Sequence, residues 1–319
     1  MNSIRPIGES CRSMWFWCLL AIAVSGRAFA DSPGWVAVSK DTLDGIGVPV
    51  NENAAEEGLP NSYFRELEPA VHPKFGLIHA DRMQTAIVET PGEITRSLAF
   101  PGDEVVHLQS GRTILVDDAT GQVSVARAGD YFVVPAHWRG LWIFQSDGDK
   151  PAREHAMVMA ADYASTKPAL NAQARPKIPP AAVVYTPRDI EAMQRHLKPI
   201  SFESPAARAP QRRSLLGHVI FAGDPSFLML ASNSGGSFVR PSTRCESVVR
   251  VVAGSVTLTR SGGETKTFGP EDVFVVTKDF SGTVRLDRGF KALSVVTTGD
   301  GTPAWPAKVA PAVSSCPAL

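Results

Sequence analysis

Glu104 is the residue of this chain best placed to do chemistry, a carboxylate opening the apolar run Glu104-Val-Val-His-Leu108. One base, Arg96, precedes it by eight positions, and several large apolar side chains flank the two. Alternation along extended segments puts Arg96, Leu98 and Phe100 on one face, aligns Val106 with Glu104, and aligns Trp142 with Phe144. Brought together, these make an aromatic, mostly apolar interior with one acid and one base. Two outcomes are open. Side chains fill the space and Glu104 pairs with Arg96, because an unpaired buried carboxylate is costly. Alternatively a cavity persists, and Arg96, Leu98, Phe100, Glu104, Trp142 and Phe144 line an amphipathic pocket for a small organic molecule. Unpaired in apolar surroundings, Glu104 would have a raised pKa and become a candidate general acid or base. One acid without a partner defines no mechanism, so a structural or binding role is the expectation.

The elements that must hold these residues are short strands. Alternating apolar runs at Glu104–Leu108 and Thr113–Val116 flank Ser110-Gly111, and Gln122–Val125 and Tyr131–Val134 flank Ala128-Gly129-Asp130. Strands at this spacing, broken by Gly and Asp turns, mark an all-β fold. Sliding the chain along itself by 143 residues lays Gly92 on Gly235 and Gly111 on Gly254. A slide of 142 lays Asp130 on Asp272 and Gly140 on Gly282. The segment GDYFVVPAHWRG over EDVFVVTKDFSG keeps Asp, Phe-Val-Val and the final Gly. Two copies of one β domain are expected.

Gly92, Leu98, Phe100, Glu104 and Gly111 stand at the spacing of the first cupin motif, and Gly129 and Pro135 resemble the start of the second. The Pro135, Gly140, Trp142 ending is similar to the (S)-ureidoglycine aminohydrolase branch of that superfamily. The resemblance covers both repeats and implies two tandem jelly-roll barrels. It does not transfer an activity, since this fold hosts many chemistries. Metal-dependent cupins hold their ion with two His and a Glu from the first motif and a His from the second, leaving a coordination position open. Carried over residue by residue, the His positions hold Leu98, Phe100 and Gly140, and only Glu104 remains. In the second repeat, Pro241, Thr243, Ser247 and Gly282 take the four positions, and Glu246 lies one residue off, on the opposite face of a strand. Neither barrel is expected to bind a cupin-type metal, and no cofactor is expected.

Seven histidines could build a site of another kind. His107 follows Glu104 by three and should face away from it. His137 takes a turn position usually held by Gly. His79, His155 and His218 lie in or beside strands outside the motifs, and His196 falls in a linker helix. Nothing in their spacing unites them, so scattered rim and surface histidines are the expectation.

Arg5 and Arg12, the apolar run Trp15 to Val24 and Ala28-Phe29-Ala30 before Asp31 read as a secretory signal peptide over residues 1–30. A periplasmic or secreted protein is expected, with no membrane span in its mature form. Of 32 basic and 32 acidic residues, Arg5, Arg12, Arg27 and Glu9 fall in that segment. The 29 basic and 31 acidic residues left give a charge near −2, unclustered, which suggests neither nucleic acid nor an anionic membrane as partner. Export leaves Cys245 and Cys316. They form either one disulfide pinning the tail to the second barrel or two unpaired thiols, and sequence supplies no geometry to choose.

Residues 31–60 form an extension whose apolar cluster, Gly34-Trp35-Val36, adds a strand to the first barrel or wraps its partner. The first barrel is expected over 61–163 and the second over 214–299, with strands near His218–Phe221, Ser226–Leu230, Ser247–Val252, Val256–Thr259, Val273–Val276 and Ala292–Val296. Between them, residues 164–213 make a Pro/Ala-rich linker with a helix over 186–198. Thr186 caps it, Pro187 opens it, and Ile190, Met193 and Leu197 face a barrel. Residues 300–319 read as a tail. Paired barrels of this kind should pack extensively within the chain, with a homodimer left open. Three functions remain: an exported non-metal bicupin that binds a small organic ligand or serves structurally, a metal-independent isomerase, epimerase or hydrolase using Glu104, and a metal-dependent cupin enzyme, which the lost ligands disfavour.

Overall fold

A computed structural model describes residues 34–49, 64–68, 74–98, 100, 102–159, 181–202, 215–298, 313–314 and 316. The expected signal segment and the flanks of the linker, 164–180 and 203–214, lie outside the described residues, as does most of the tail. An N-terminal arm holds β1 (Trp35–Val38) and α1 (Lys40–Leu43). The first repeat contains β2 (Phe64–Glu68), β3 (Lys74–Ala80), β4 (Met83–Thr90), β5 (Gly92–Ser97), β6 (Glu104–Ser110), β7 (Arg112–Asp117), β8 (Val123–Arg127), β9 (Tyr131–Val134), β10 (Gly140–Gln145) and β11 (Ala152–Met159). The linker carries β12 (Val183–Tyr185), α2 (Pro187–Met193), β13 (Lys198–Pro199) and β14 (Ser201–Phe202). The second repeat contains β15 (Leu215–Phe221), β16 (Ser226–Ser232), β17 (Gly236–Arg240), β18 (Glu246–Ala253), β19 (Val256–Arg260), β20 (Thr265–Phe268), β21 (Val273–Val276), β22 (Gly282–Leu286) and β23 (Phe290–Thr297), and β24 (Val313–Ser314) follows.

Each repeat closes two sheets over a core. In the first, β12-β9-β6-β11-β4-β3 faces β2-β5-β10-β7-β8; in the second, β1-β21-β18-β23-β16-β15-β13 faces β17-β22-β19-β20. Apart from β13, at one edge of the second barrel's larger sheet, and β2, at one edge of the first barrel's smaller sheet, the two orders match, so the protein is all-β, two tandem barrels joined by a linker with one short helix. Strands β17, β20 and β22, which have no counterpart among the strands expected from sequence, join β19 in the second barrel's smaller sheet. Their sequences GSFVR, TKTF and GTVRL each carry exposed positions, and the polar residues among them mask any apolar period.

The arms cross over. Strand β1 precedes the first repeat yet pairs with β21 of the second, and β12 precedes the second yet pairs with β9 of the first. The N-terminal extension therefore wraps the second barrel. Each crossing strand runs into a capped helix at an equivalent place: Val38 lies opposite Val273 and is followed by Ser39, Tyr185 lies opposite Tyr131 and is followed by Thr186. Ser39 Oγ accepts from the Thr42 amide at 3.0 Å, and Thr186 and Asp189 form a reciprocal capping box. The linker helix is shorter than expected. The α-helical turns end at Met193 and tighten into a 3₁₀ turn over Gln194–His196, since the chain must extend again before Pro199.

Three cores follow from strand alternation. On β6, Val106 and Leu108 join Phe132, Val134 and Trp142 inside the first barrel, whereas Val105 turns outward. On β18, Val249 and Val251 fill the second barrel and Val248 turns outward. The outward residues meet in a third core, where Met83, Ile87, Val105, Tyr131 and Met157 pack against Phe227, Met229, Val248, Leu293 and Val295. Ile190 of α2 belongs to this core, with Met193 and Leu197 packed against it. Polar stitches reinforce the joint. Glu246, one residue off the motif position and hence outward, accepts the Arg82 and Met83 amides at 3.0 and 2.9 Å and lies 3.3 Å from His79 Nε2. Asp103 accepts the amides of Ala136 and Asp224 at 2.8 and 3.1 Å. Cys245 and Cys316 are joined in a disulfide, and β24 runs parallel to β14, so the chain end is held to the second barrel.

Candidate functional site

The first barrel collects four of the six residues singled out from sequence. Phe100, Glu104, Trp142 and Phe144 are all buried, and Glu104 points inward on the same face of β6 as Val106 and Leu108. The Trp142 ring is the hub: its centroid lies 5.6 Å from Phe100, 5.7 Å from Phe132 and 5.6 Å from Phe144, on which it stacks. Arg96 and Leu98 are not there. On β5 the inward positions are Glu93, Thr95 and Ser97, so Arg96 faces out and pairs with Asp118 at 2.8 Å. The backbone bends after Ser97, which leaves Leu98 38% exposed and returns Phe100 to the interior. The Glu104–Arg96 pair, one of the two outcomes open from sequence, is thereby corrected: the alternation that would put Arg96 on the face of Phe100 does not survive the bend between them.

A different acid pair lies deeper. Glu93 is opposite Phe144, which is opposite Thr113, and Glu154 on β11 reaches the same level. Thr95 Oγ1 donates to Glu93 at 2.5 Å, and Thr113 Oγ1 donates to Glu154 at 2.8 Å. Burial pushes the Glu154 carboxyl up to about 8 and the charge of Glu93 adds to the rise, while the Thr113 hydroxyl and the Trp142 indole offset it in part.

The positions where a cupin metal would be held do not present its donors. Leu98 is on the surface, and Phe100 is committed to the aromatic cluster. Position 140 has no room for a side chain: a Cβ on Gly140 would overlap the Val116 carbonyl oxygen and the Trp138 ring. Gly282 is equally closed, against the Thr259 carbonyl. In the second barrel the fully buried Arg240 occupies the place of Ser97, both lying opposite these glycines, and donates to the Phe280 and Cys245 carbonyls at 3.0 and 3.2 Å. Among the described residues, no three His, Cys, Asp or Glu side chains gather as a metal-holding group.

Among the described residues, an open space lies between the barrels. A cleft of about 420 Å³ is roofed by Pro187, Ile190 and Glu191 of α2 and by Gln194 of the 3₁₀ turn after it, and floored by Met229, Val252, Ala292 and Leu293. His107, Tyr131, Arg250 and Lys291 bring polar groups to it. His107 and Arg250 are repeat equivalents, and they meet across the joint with Arg250 Nη1 2.9 Å from His107 Nδ1. Burial, and then the charge of Arg250, holds His107 well below its ordinary pKa, so its ring is neutral and accepts from the guanidinium. Tyr131 lies tilted against His107 at 4.5 Å and stacks on Phe227 at 5.0 Å, with its phenol pushed up to about 12 by burial. Arg250 also donates to Glu271 at 2.5 Å, and Lys291 donates to Gln194 Oε1 at 2.7 Å. The arrangement can hold a small molecule by fixed cationic donors over apolar walls.

Sequence reasoning found His107 outside the barrel and left it unassigned, and it missed Arg250, Lys291, Tyr131 and Gln194. One signal was present: Arg250 interrupts Ser247-Val-Val-Arg-Val-Val252, a run whose other members are apolar after the first. A cation in a strand covered on both faces needs a polar partner on the covered side. Of the remaining histidines, His79 binds Glu246, His155 lies 2.7 Å from Thr85 Oγ1 inside the joint, and His196 and His218 approach one another near the surface at 5.6 Å.

No protein-family model matches this chain, and no curated protein matches it. Solved structures do resemble it. A cupin 2 conserved barrel domain protein from Leptotrichia buccalis is 8% identical over 72% of this chain and 89% of its own, with a TM-score of 0.47. Protein Ylba from E. coli is 10% identical over 87% and 97%, with a TM-score of 0.45. HEPD from Streptomyces albus, solved with 2-hydroxyethylphosphonate and Fe(II) bound, is 10% identical over 86% and 78%, with a TM-score of 0.48.

Proposed function

We propose that this chain is an exported bicupin, periplasmic or secreted, that binds a small organic molecule without a metal in the cleft between its barrels. The observation that carries the reading is the cleft itself. Its volume of about 420 Å³ falls in the range of small-molecule sites, which pair apolar walls with a few convergent polar groups. Cupin membership is supported by the motif spacing Gly92 to Gly111 and Gly129 to Pro135 on two matching barrels. Export is supported by the leader-like residues 1–30 and by the Cys245–Cys316 disulfide, a bond of oxidising compartments. Metal-free binding is supported by Leu98, Phe100 and Gly140, which offer no imidazole where the superfamily's ion is held.

The test uses the mature chain purified without a His-tag. Thermal-shift screening against sugars, amino acids and aromatic acids should find compounds that raise the melting temperature, and Val252→Trp should remove the effect. Val252 lines the cleft and is 46% exposed, so the larger ring fills the cavity without entering a barrel core. Silence across the screen, or hits that persist in Val252→Trp, overturns the cleft as the site. Stoichiometric Mn, Fe, Ni or Zn by elemental analysis overturns the metal-free reading.

A further inference from the structure

The pseudo-symmetry of the fold gives the cleft a twin, and the twin shows what the cleft lacks. The 143-residue offset lays Ser110 of β6 on Ala253 of β18, and their partners on the next strand are Arg153 and Lys291. One strand further, Glu89 lies opposite Arg153 and Ala231 lies opposite Lys291. The two cations are equivalent. The acid beside the first has an alanine for its counterpart.

In the twin the charges are satisfied from within. Arg153 Nε donates to Glu89 Oε2 at 2.7 Å and Lys74 Nζ lies 2.7 Å from Glu89 Oε1. Burial alone would raise the Glu89 carboxyl, but Lys74 and Arg153 outweigh it and hold the group below its ordinary value, as an anion. The turn after α1 closes over the pair: a Cβ on Gly45 would stand 2.8 Å from both Arg153 Nε and Glu89 Oε2. At the cleft, Lys291 donates to the neutral amide of Gln194, and space remains under α2. Arg250, the other cation of the lining, is paired with Glu271, whose side chain is 73% exposed. An ion pair that open to water is weak and yields easily to a better-placed anion.

We infer that the cleft takes a small organic carboxylate, its head group beside Lys291 and Arg250 in the role Glu89 plays in the twin, and its apolar body against Ile190, Met229, Val252 and Leu293. The inference rests on the cleft being the ligand site. Neutral His107 leaves the charge of Arg250 undiminished, and Glu191 is the one acid of the lining, placed on the roof. A charge-assisted bond to a carboxylate is worth about twice a neutral one. That favours an acid over a sugar or an amide of equal size.

Titration calorimetry on the mature chain with matched probes tests this: benzoate against benzamide, and hexanoate against hexanamide. The acids should bind at least about tenfold more tightly than their amides, as loss of a charged hydrogen bond implies. Lys291→Gln should erase that preference. Ala231→Glu, which installs the twin's carboxylate, should block the acids; if it does not fold, Lys291→Gln decides alone. Equal binding of acids and amides, or no binding by either acid, overturns the inference. Should Val252→Trp still abolish binding of both members of a pair, the cleft stands as the site and only the carboxylate falls; binding untouched by Val252→Trp removes the cleft as well.

Discussion

Replacing Glu154 by Gln should stabilise the protein, and by an amount that depends on pH. Glu154 is 2% exposed and its carboxyl is held up to about 8, against an ordinary value of 4.5. The unfolded chain loses this proton near 4.5 while the folded chain keeps it until about 8. Between those values the folded state holds one more proton, so stability falls as pH rises. The slope is ~1.4 kcal/mol per pH unit. Below pH 4.5 the penalty is absent, and above pH 8 it is fully present. From pH 5 to pH 7 it grows by about 3 kcal/mol. Glutamine keeps the shape, still accepts from Thr113 Oγ1, and has no proton to lose. Two histidines push the other way. His155, held down to about 3, and His107, held well below 6.5, are neutral when folded and cost stability as pH drops below 6.5. They are present in both proteins and cancel in the difference. Urea denaturation of wild type and Glu154→Gln at pH 5, 6, 7 and 8 measures that difference directly. Expected is a gap that widens with pH and levels off near 8. Parallel curves would mean that Glu154 is ionised in the folded barrel, and the account of its burial beside Glu93 would be wrong.

The acid limb has its own test: His155→Gln, which keeps a partner for Thr85, should flatten the loss of stability below pH 6.5, worth about 3 kcal/mol by pH 4.5, read from thermal melts at the two pH values. Cys316→Ser opens a disulfide spanning 71 residues and should cost about 4 kcal/mol by the loop-entropy relation; reductant should bring wild type to the same urea midpoint and leave the variant unmoved. Glu246→Ala strands the buried Arg82 and Met83 amides at the joint and should cost about 3 kcal/mol, whereas Glu246→Gln, able to accept from one of them, should cost less; equal midpoints for the two would remove Glu246 from the joint.

Much of the fold was legible because β6, β9, β18 and β21 carry apolar runs distinct enough to align with one another. The strands that escaped, β17, β20 and β22, are half-exposed, and their polar residues hide the period. The site was less legible for a geometric reason. Arg96 and Leu98 were placed by counting through the segment after Ser97, where the chain bends, and parity does not survive a bend. Phe100, Trp142 and Phe144 did arrive inside the first barrel, yet their rings pack against one another. Glu154 sits on β11, outside the repeated motif, so nothing in the motif pointed to its company with Glu93.

The cleft could not be read from either repeat alone, because it is made from what the repeats do to each other. A duplicated domain whose arms cross over has two equivalent joints, each with a strand, a capped helix and a cation beneath it. Identical copies would have to fill both joints in the same way. Once Glu89 and Ala231 differ, one joint satisfies its own cation and the other holds an uncompensated one over apolar walls. Lys291 is half-buried, and a cation there without its acid forgoes the stability an ion pair would add. Such a loss persists most readily where something outside the chain supplies the acid, and one substitution restores that acid, although Lys74, the second partner of Glu89, also has an apolar counterpart in Leu216. Ala231→Glu should therefore make the second joint behave as the first does, with the protein more stable in the absence of any ligand and unresponsive to benzoate. A variant that gains stability yet binds benzoate as wild type does would place the anion elsewhere and end the equivalence of the two joints.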